Sequence, residues 1–424
     1  MKPPGFACLI LSYTEVWFCC VASLAGLSTA MCVPALFLVV ILVVSILCAH
    51  YFHNRQEMKP CLYFKKSRIS VVIKKGCKGL NQDYKPTYWA TNRHLQTILP
   101  WIWWQDELEF KREYLQMEDK GVIALDWLEV DDDKSIKKVS PIMLLIPDLT
   151  GAAADLAAAC TEALARKFRP VVFNRRGHGG TLLSTYRFQS FGDASDLEEA
   201  IQFITHMYPY AEIFAISFST GSGLLLSYLG EAGATSKLNA AVCISPCFDA
   251  EALFKSNSLP EPYNWLWTFK LKSVLRQHPC LGNVINYNLA LQSTSIKELD
   301  ERVYVKLNQY NSLEEYWRYN DPMRNITNIS VPVLCVSALD DPICPKETIP
   351  FSLFKTSNNL FLVTTDKGGH CGFLEDFFPS SWANKLGCEY LETVYNQGVP
   401  KQPEENHVHF FPEFNGTRNR SYTT

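Results

Sequence analysis

From Pro141 onward, apolar residues fall into short unbroken runs that alternate with stretches of helical period. Ile142–Ile146 is such a run, 153–168 repeats apolar positions at helical spacing, and 170–173 is a second run. A helical pattern over about 193–207 comes next, then an apolar run ending at Phe218, its trailing helix, and a run at 240–245. Runs too short for helices, without polar alternation, read as strands buried on both faces. Their alternation with helices predicts a mostly parallel sheet covered on both sides. Upstream, 108–117 and 122–130 flank Glu118-Asp119-Lys120-Gly121, which predicts a hairpin leading into the sheet. Downstream, 331–337 and 360–364 read as two more strands.

Between Asp249 and Asn325 this rhythm stops and aromatic residues gather, among them Tyr263, Trp265, Trp267, Phe269 and Tyr316. A helical cap over the carboxyl ends of the strands, about 250–325, would give this pattern and shield a pocket from water. A packed helical core without a pocket would give it too.

The amino end follows a different pattern. No Asp, Glu, Lys or Arg occurs from Val16 to Phe52, and the most apolar part is 34–49. Such a stretch is long enough to cross the roughly 30 Å hydrocarbon core as a helix. The expectation is an uncleaved anchor. A single span over about 29–49 is the simplest form, and two short halves bent at Pro34 are the other. Small residues at Leu27-Ser28-Thr29-Ala30 are the case for a cleaved signal and a secreted form, but the most apolar part lies beyond them. Arg55, Lys59, Lys65, Lys66, Arg68, Lys74 and Lys75 follow the anchor, which places the globular part on the cytosolic side of an internal membrane such as the endoplasmic reticulum. Acceptor tripeptides for N-glycosylation begin at Asn325, Asn328, Asn415 and Asn419 and argue the other way. The domain reading is an anchor over 1–52, a basic linker over 53–85, the sheet-and-helix domain over 86–398 and a polar tail over 399–424.

Composition narrows the function classes. The net charge of −3 leaves no nucleic-acid footprint. The 15 cysteines include no Cys-x-x-Cys pair and no His-x-x-x-His accompanies them, so neither a metal nor a cofactor is expected.

The chemistry-bearing residues lie at strand ends. Ser219 sits in Ser217-Phe218-Ser219-Thr220-Gly221, where an apolar strand turns into a helix among small residues. This is the sequence form of a sharp turn that presents a nucleophilic hydroxyl, with Ser217 where glycine is usual. The next strand but one runs into Asp340-Asp341-Pro342, and the last into Gly368-Gly369-His370-Cys371-Gly372. Serine, aspartate, histidine in that order is the order of an α/β-hydrolase triad. A serine hydroxyl attacks only when an imidazole takes its proton, and a carboxylate fixes the tautomer of that imidazole.

These pieces resemble the membrane-anchored α/β-hydrolase-4 family from about Pro86 to Tyr395. The resemblance is carried by Asn92-Arg93-His94-Leu95-Gln96-Thr97, Pro147-Asp148-Leu149-Thr150-Gly151, Asn174-Arg175-Arg176-Gly177, Asp341-Pro342 and Gly368-Gly369-His370-Cys371-Gly372-Phe373-Leu374. It implies an α/β-hydrolase fold and a serine hydrolase acting on lipid esters such as phospholipids, monoacylglycerols or short-chain esters. Ser219 would then be the nucleophile, His370 the general base and Asp341 its partner. The backbone N–H groups of Leu149 and Thr220 would form the oxyanion hole. The family pattern has glycine where Asp148 stands, and this carboxylate would oppose an oxyanion nearby. That departure, with Ser217, supports an alternative: a hydrolase-like scaffold that regulates lipid metabolism by binding a protein or lipid partner.

Overall fold

The computed structural model describes residues 41, 42, 45, 57–102, 108–129, 139–255 and 258–398. The expected anchor and the tail therefore lie outside the described residues, apart from three helical positions. The sheet, its helices and the site all belong to the unit Glu57–Thr424. Among the described residues no helix is long and apolar enough to cross a membrane.

In chain order the main elements are β1 (Cys61–Tyr63), α1 (Arg68–Gly76), α2 (Arg93–Ile102), β2 (Phe110–Gln116), β3 (Val122–Leu128) and β4 (Ile142–Ile146). Then come α3 (Ala157–Ala165), β5 (Arg169–Asn174), α4 (Ser195–Met207), β6 (Ile213–Phe218), α5 (Thr220–Ala232), β7 (Leu238–Ile244) and α6 (Tyr263–Arg276). The chain continues through α7 (Leu313–Asn320), β8 (Val333–Ala338), α8 (Phe351–Thr356), β9 (Leu360–Thr365) and α9 (Trp382–Gln397). The strands form one sheet in the order β1-β9-β8-β7-β6-β4-β5-β3-β2. From β5 through β9 the pairing is parallel, and β2, β3 and β1 pair antiparallel at the edges. This is the α/β-hydrolase fold, with the mostly parallel sheet and covering helices that the hydrophobic pattern predicts.

The strands are apolar throughout because each buries both faces. Ile142, Leu144 and Ile146 pack with Ala215, Cys243, Cys335 and Leu362 against the inner faces of α4, α5 and α8. The alternate residues Met143 and Leu145 pack with Ile216, Val242, Val336 and Val363 against α1, α3 and α9. Each fully buried Leu or Ile contributes about 1.5–3 kcal/mol, so a register slip in any central strand would be costly. With the register fixed, the loops after β4, β6, β8 and β9 all leave the same edge of the sheet. Ligands of open α/β sheets bind at that carboxyl edge.

Two stretches come out differently from the sequence reading. The helix expected over 153–168 divides into a 3₁₀ turn at Ala153–Leu156 and the shorter α3. The basic segment 53–85 carries β1, whose Cys61, Leu62 and Tyr63 pair with Thr364, Val363 and Leu362 of β9, and α1, which packs on α9.

Between 249 and 328 the elements described are helices with no strand among them, and α6, α7 and the short helices between them surround a separate aromatic core. Phe254, Trp267, Tyr316 and Trp317 form its centre, with Phe254 and Trp317 stacked 5.7 Å apart. Below it, the second of the two arginines after β5 acts as a tie. Buried Arg176 donates to Asp196 of α4 and to Asp119 in the β2–β3 turn, each at 2.6 Å.

Candidate active site

β6 ends at Phe218 and α5 begins at Thr220, which leaves Ser219 at φ 50° and ψ −121°. That conformation costs an L-residue about 1–3 kcal/mol and persists only where the surroundings enforce it. Here the Ser219 N–H donates to the Ile244 carbonyl at 2.9 Å, and the Ser222 N–H donates back to the Ser219 carbonyl at 3.0 Å. Gly221 lets α5 approach β4 so closely that a Cβ there would run into the carbonyl oxygens of Pro147 and Ile146. Ser217 is buried beneath the turn, and its hydroxyl lies 3.1 Å from both the Val242 carbonyl and the Ser222 hydroxyl. Serine in place of glycine is thus absorbed by β7.

His370 Nε2 lies 2.7 Å from the Ser219 hydroxyl, and its Nδ1 lies 2.8 Å from Asp341 Oδ2. An Nδ1–H donating to the carboxylate leaves Nε2 as the acceptor facing the serine. The other carboxylate oxygen, Oδ1, accepts the N–H groups of Ile343 at 2.7 Å and Cys344 at 2.9 Å. Asp340 turns aside and accepts the Gly369 N–H at 3.0 Å. Of the adjacent aspartates, therefore, Asp341 faces the imidazole. Burial by itself disfavours a charge on His370, but the Asp341 carboxylate, and after it the Cys371 sulfur, hold its pKa well above the usual 6.5. The donor atoms of Asp341, Cys344 and His370 lie within 4.8 Å of one another, but the hydrogen bonds above already engage both carboxylate oxygens.

The histidine loop depends on α2, whose residues the sequence reading quoted only for their resemblance. The His370 N–H donates to Thr97 Oγ1 at 3.0 Å, and the Thr97 hydroxyl donates to the Arg93 carbonyl at 2.7 Å. Gln96 Oε1 accepts the Leu374 N–H at 2.7 Å, while its Nε2 donates to the Ala90 carbonyl at 2.8 Å. Gly369 and Gly372 let the loop lie directly on α2, where a Cβ would meet the carbonyls of Arg93 and Gln96. Ser245 completes the support, its Oγ accepting the Cys371 N–H at 2.9 Å. Two glycines three residues apart beside a histidine were the available signal, since they mark close backbone approach but not the helix approached.

The expected oxyanion-hole residues also come together, with an added contact. Thr220 is the first residue of α5, so its N–H has no partner inside the helix. The Leu149 N–H donates to Thr220 Oγ1 at 2.6 Å. Asp148 accepts the Thr150 N–H at 2.8 Å and the Thr150 hydroxyl at 3.1 Å, closing a turn within its own loop. A cavity of about 290 Å³ reaches Ser219 and His370 from between α2, α6 and residues 379–381. A second, much smaller space of about 20 Å³ lies under the cap against Leu149 and Thr220, lined by Phe191, Phe254, Trp267 and Trp317.

A parallel sheet presenting serine, aspartate and histidine, in that chain order, from its carboxyl-end loops defines the α/β-hydrolase class. Residues 142–375 match the family Hydrolase_4, described as serine aminopeptidase, S33, and the chain belongs to that family. The match begins at β4 and ends just past the histidine loop. Protein ABHD15 of Homo sapiens is 36% identical over 320 residues, covering 73% of this chain and 68% of that protein. Phospholipase ABHD3 of Mus musculus is 32% identical over 374 residues, 86% of this chain and 89% of that protein. Monoacylglycerol lipase ABHD2 of Homo sapiens is 27% identical over 371 residues, with coverages of 79% and 85%. The chain is an enzyme of the carboxylic ester hydrolase class.

Thr97 touches no reacting group, yet it fixes the backbone of His370. Thr97→Val keeps the shape and removes the acceptor. Steady-state kinetics are expected to show kcat about tenfold lower with KM little changed, and Thr97→Ser to restore it, as loss of one buried hydrogen bond implies. Equal falls in kcat and in unfolding temperature for both variants would reduce Thr97 to a packing residue.

Proposed function

We propose that the protein is a membrane-anchored serine hydrolase that cleaves lipid esters. The observation that carries this reading is the hydrogen-bonded line from Ser219 through His370 to Asp341 at the end of a cavity lined by both apolar and polar side chains. The phospholipase and monoacylglycerol lipase among the relatives support a phospholipid or acylglycerol substrate. The charge-free segment 16–52 supports an anchor, and the basic residues after it support a domain facing the cytosol.

In this reading His370 Nε2 takes the Ser219 proton as Oγ attacks the ester carbonyl. The carbonyl oxygen becomes an oxyanion, which the N–H groups of Thr220 and Leu149 stabilise, helped by the positive end of α5. The imidazolium then protonates the departing alcohol as the ester C–O bond breaks, leaving an acyl-Ser219. Water repeats the sequence, His370 taking its proton, and releases the fatty acid with Ser219 restored. Asp341 steadies the imidazolium in both halves.

The resting hole has one constraint. Thr220 Oγ1 occupies the position relative to the Leu149 N–H that an oxyanion would need. The hydroxyl must turn away before Leu149 can serve, at the cost of about 0.5–1.5 kcal/mol for the lost hydrogen bond. Thr220→Ala is therefore expected to raise kcat on a short-chain ester by about two- to tenfold. A fall of similar size would show that the hydroxyl itself donates to the oxyanion.

The raised pKa of His370 has a definite sign. Only the neutral imidazole accepts the serine proton, so kcat/KM should climb with pH through a midpoint above 6.5. Asp341→Asn should move that midpoint down and lower kcat by about 10⁴-fold. A parent profile already flat at pH 6 would contradict the assignment.

The direct test is fluorophosphonate labelling of membranes carrying the parent or Ser219→Ala. Labelling of the parent alone, with turnover of the variant down by about 10⁴-fold or more, is the expected result. A folded parent that takes no label would support the scaffold reading, which the engaged Leu149 N–H favours, and would turn attention to a bound partner.

A further inference from the structure

Two of the short helices in the cap are wound more loosely than an α-helix. Glu251–Lys255 and Asp300–Tyr304 are π turns, the second set inside a helical stretch that runs from Ile296 to Leu307. Such turns are rare, and they occur mostly at functional sites. Both contribute to one place. Phe254 from the first and Asp300 from the second line the small space under the cap, against Leu149 and Thr220.

Asp300 is the anomaly in that lining. Much of the wall is Phe191, Phe254, Trp267, Leu271 and Ile296, yet Asp300 is buried among them, 4% exposed. Its Oδ2 has no hydrogen-bond partner among the described residues, and neither has the indole N–H of Trp317, which lines the same space. A buried polar group left without a partner costs stability, so two of them around one space call for an occupant. Burial, and then the neighbouring Glu301, push the Asp300 carboxyl well above the ordinary carboxylate range, which favours the neutral acid. A neutral carboxyl offers an O–H donor as well as acceptor lone pairs, and Trp317 adds a second donor.

Size and position limit the ligand. The space of about 20 Å³ admits one water-sized group and excludes an acyl chain. Asp148 borders both this space and the 290 Å³ cavity that reaches Ser219. Trp267, on its wall, lies edge-on to the His370 ring at 6.1 Å, and His370 is the group that protonates the departing alcohol. The space therefore belongs to the alcohol side of the substrate. A methyl group there would leave both orphans unpaired, and an anionic oxygen would meet the acids Asp148 and Asp300. An ammonium could accept nothing from the indole N–H. An alcohol hydroxyl is small enough, uncharged, and able to accept from Trp317 while donating to Asp300.

We propose that the space under the cap is a hydroxyl subsite, in which Asp300 and Trp317 hold a free hydroxyl on the alcohol side of the ester. The proposal rests on the lipid-ester reading for the reaction and on the two orphaned groups for the site. Asp300 thereby determines specificity without touching the reacting carbonyl. Esters of polyols that keep a hydroxyl unesterified are preferred to esters of simple alcohols, and the acyl chain stays in the larger cavity.

The test uses the full chain in detergent micelles with two soluble esters, glycerol monobutyrate and propyl butyrate, which differ only in the hydroxyls of the alcohol. Asp300→Leu should lower kcat/KM for the glycerol ester by about tenfold and leave the propyl ester unchanged, because the paired hydrogen bond is lost. Asp300→Asn, whose amide also donates and accepts, should keep the preference. Equal losses on both esters, or a ratio that Asp300→Leu leaves unaltered, would overturn the proposal. A second readout needs no turnover. The butyl ether of glycerol, which cannot be hydrolysed as an ester, should raise the unfolding temperature of the parent and not of Asp300→Leu. An ether that stabilises neither protein, or both equally, refutes the subsite. A parent that hydrolyses neither ester, yet is stabilised by the ether through Asp300, would end the enzymatic reading and leave the subsite standing.

Discussion

The geometry of the site depends on the positive-φ backbone at Ser219. A parallel strand cannot feed directly into a helix on the next layer without a sharp reversal, and this chain places the reversal on one residue. The strain is held by the Ile244 carbonyl on one side and by the close approach of Gly221 to Pro147 on the other. Because β4, β6 and β7 are in parallel register, the same constraint brings Leu149 within hydrogen-bond reach of Thr220. Relaxing Ser219 to an ordinary helical conformation would move its hydroxyl from His370 and unseat the start of α5. The Ser219 hydroxyl and the start of α5 are one object.

His370 is oriented by quite different means. Its loop contains Gly368 at φ 154°, Gly369 at φ 59° and Cys371 at φ 61°, conformations that give it little local structure of its own. Order is imposed from outside, by Thr97 and Gln96 of α2, by Ser245 after β7 and by Asp340 after β8. Ser219 is therefore set by local covalent geometry and His370 by tertiary contacts from segments far apart in the chain.

That difference explains what could be read from the sequence. Strand and helix alternation, the elbow around Ser219 and the position of Asp341 before Pro342 leave local traces, since each is fixed by small residues or apolar period within a few positions. The support from Thr97 and Gln96 joins residues separated by 273 and 278 positions, and no spacing rule reports such a pair. β1 was hidden for the same reason: a short half-exposed edge strand among lysines has no pattern until β9 lies beside it. The Thr220 hydroxyl is a matter of rotamer, so the sequence pointed to this residue for its backbone and was silent on its side chain. The exposed aromatic residues of α6 were noted among the cap residues, but whether each faces the core or solvent depends on helix phase against α2.

Asp148 shows how a departure from a family pattern is accommodated physically. A carboxylate next to an oxyanion site would raise the cost of negative charge there. In this fold one of its oxygens accepts both donors of Thr150, which turns it into its own loop. Behind it lies Arg175, fully buried, whose guanidinium nitrogens have no hydrogen-bond partner among the described residues. Burial pushes Arg175 down to about 10, and Tyr304 and Asp148 act against that shift, so the guanidinium stays charged at neutral pH. The field of Asp148 at the hole is thereby opposed by a buried positive charge, whose influence is strong because the surroundings exclude water. Glycine at this position would remove that carboxylate and leave Asp196, already held by Arg176, as the remaining carboxylate acting on Arg175. The acid is better understood as half of a charge balance than as a lesion in the oxyanion hole.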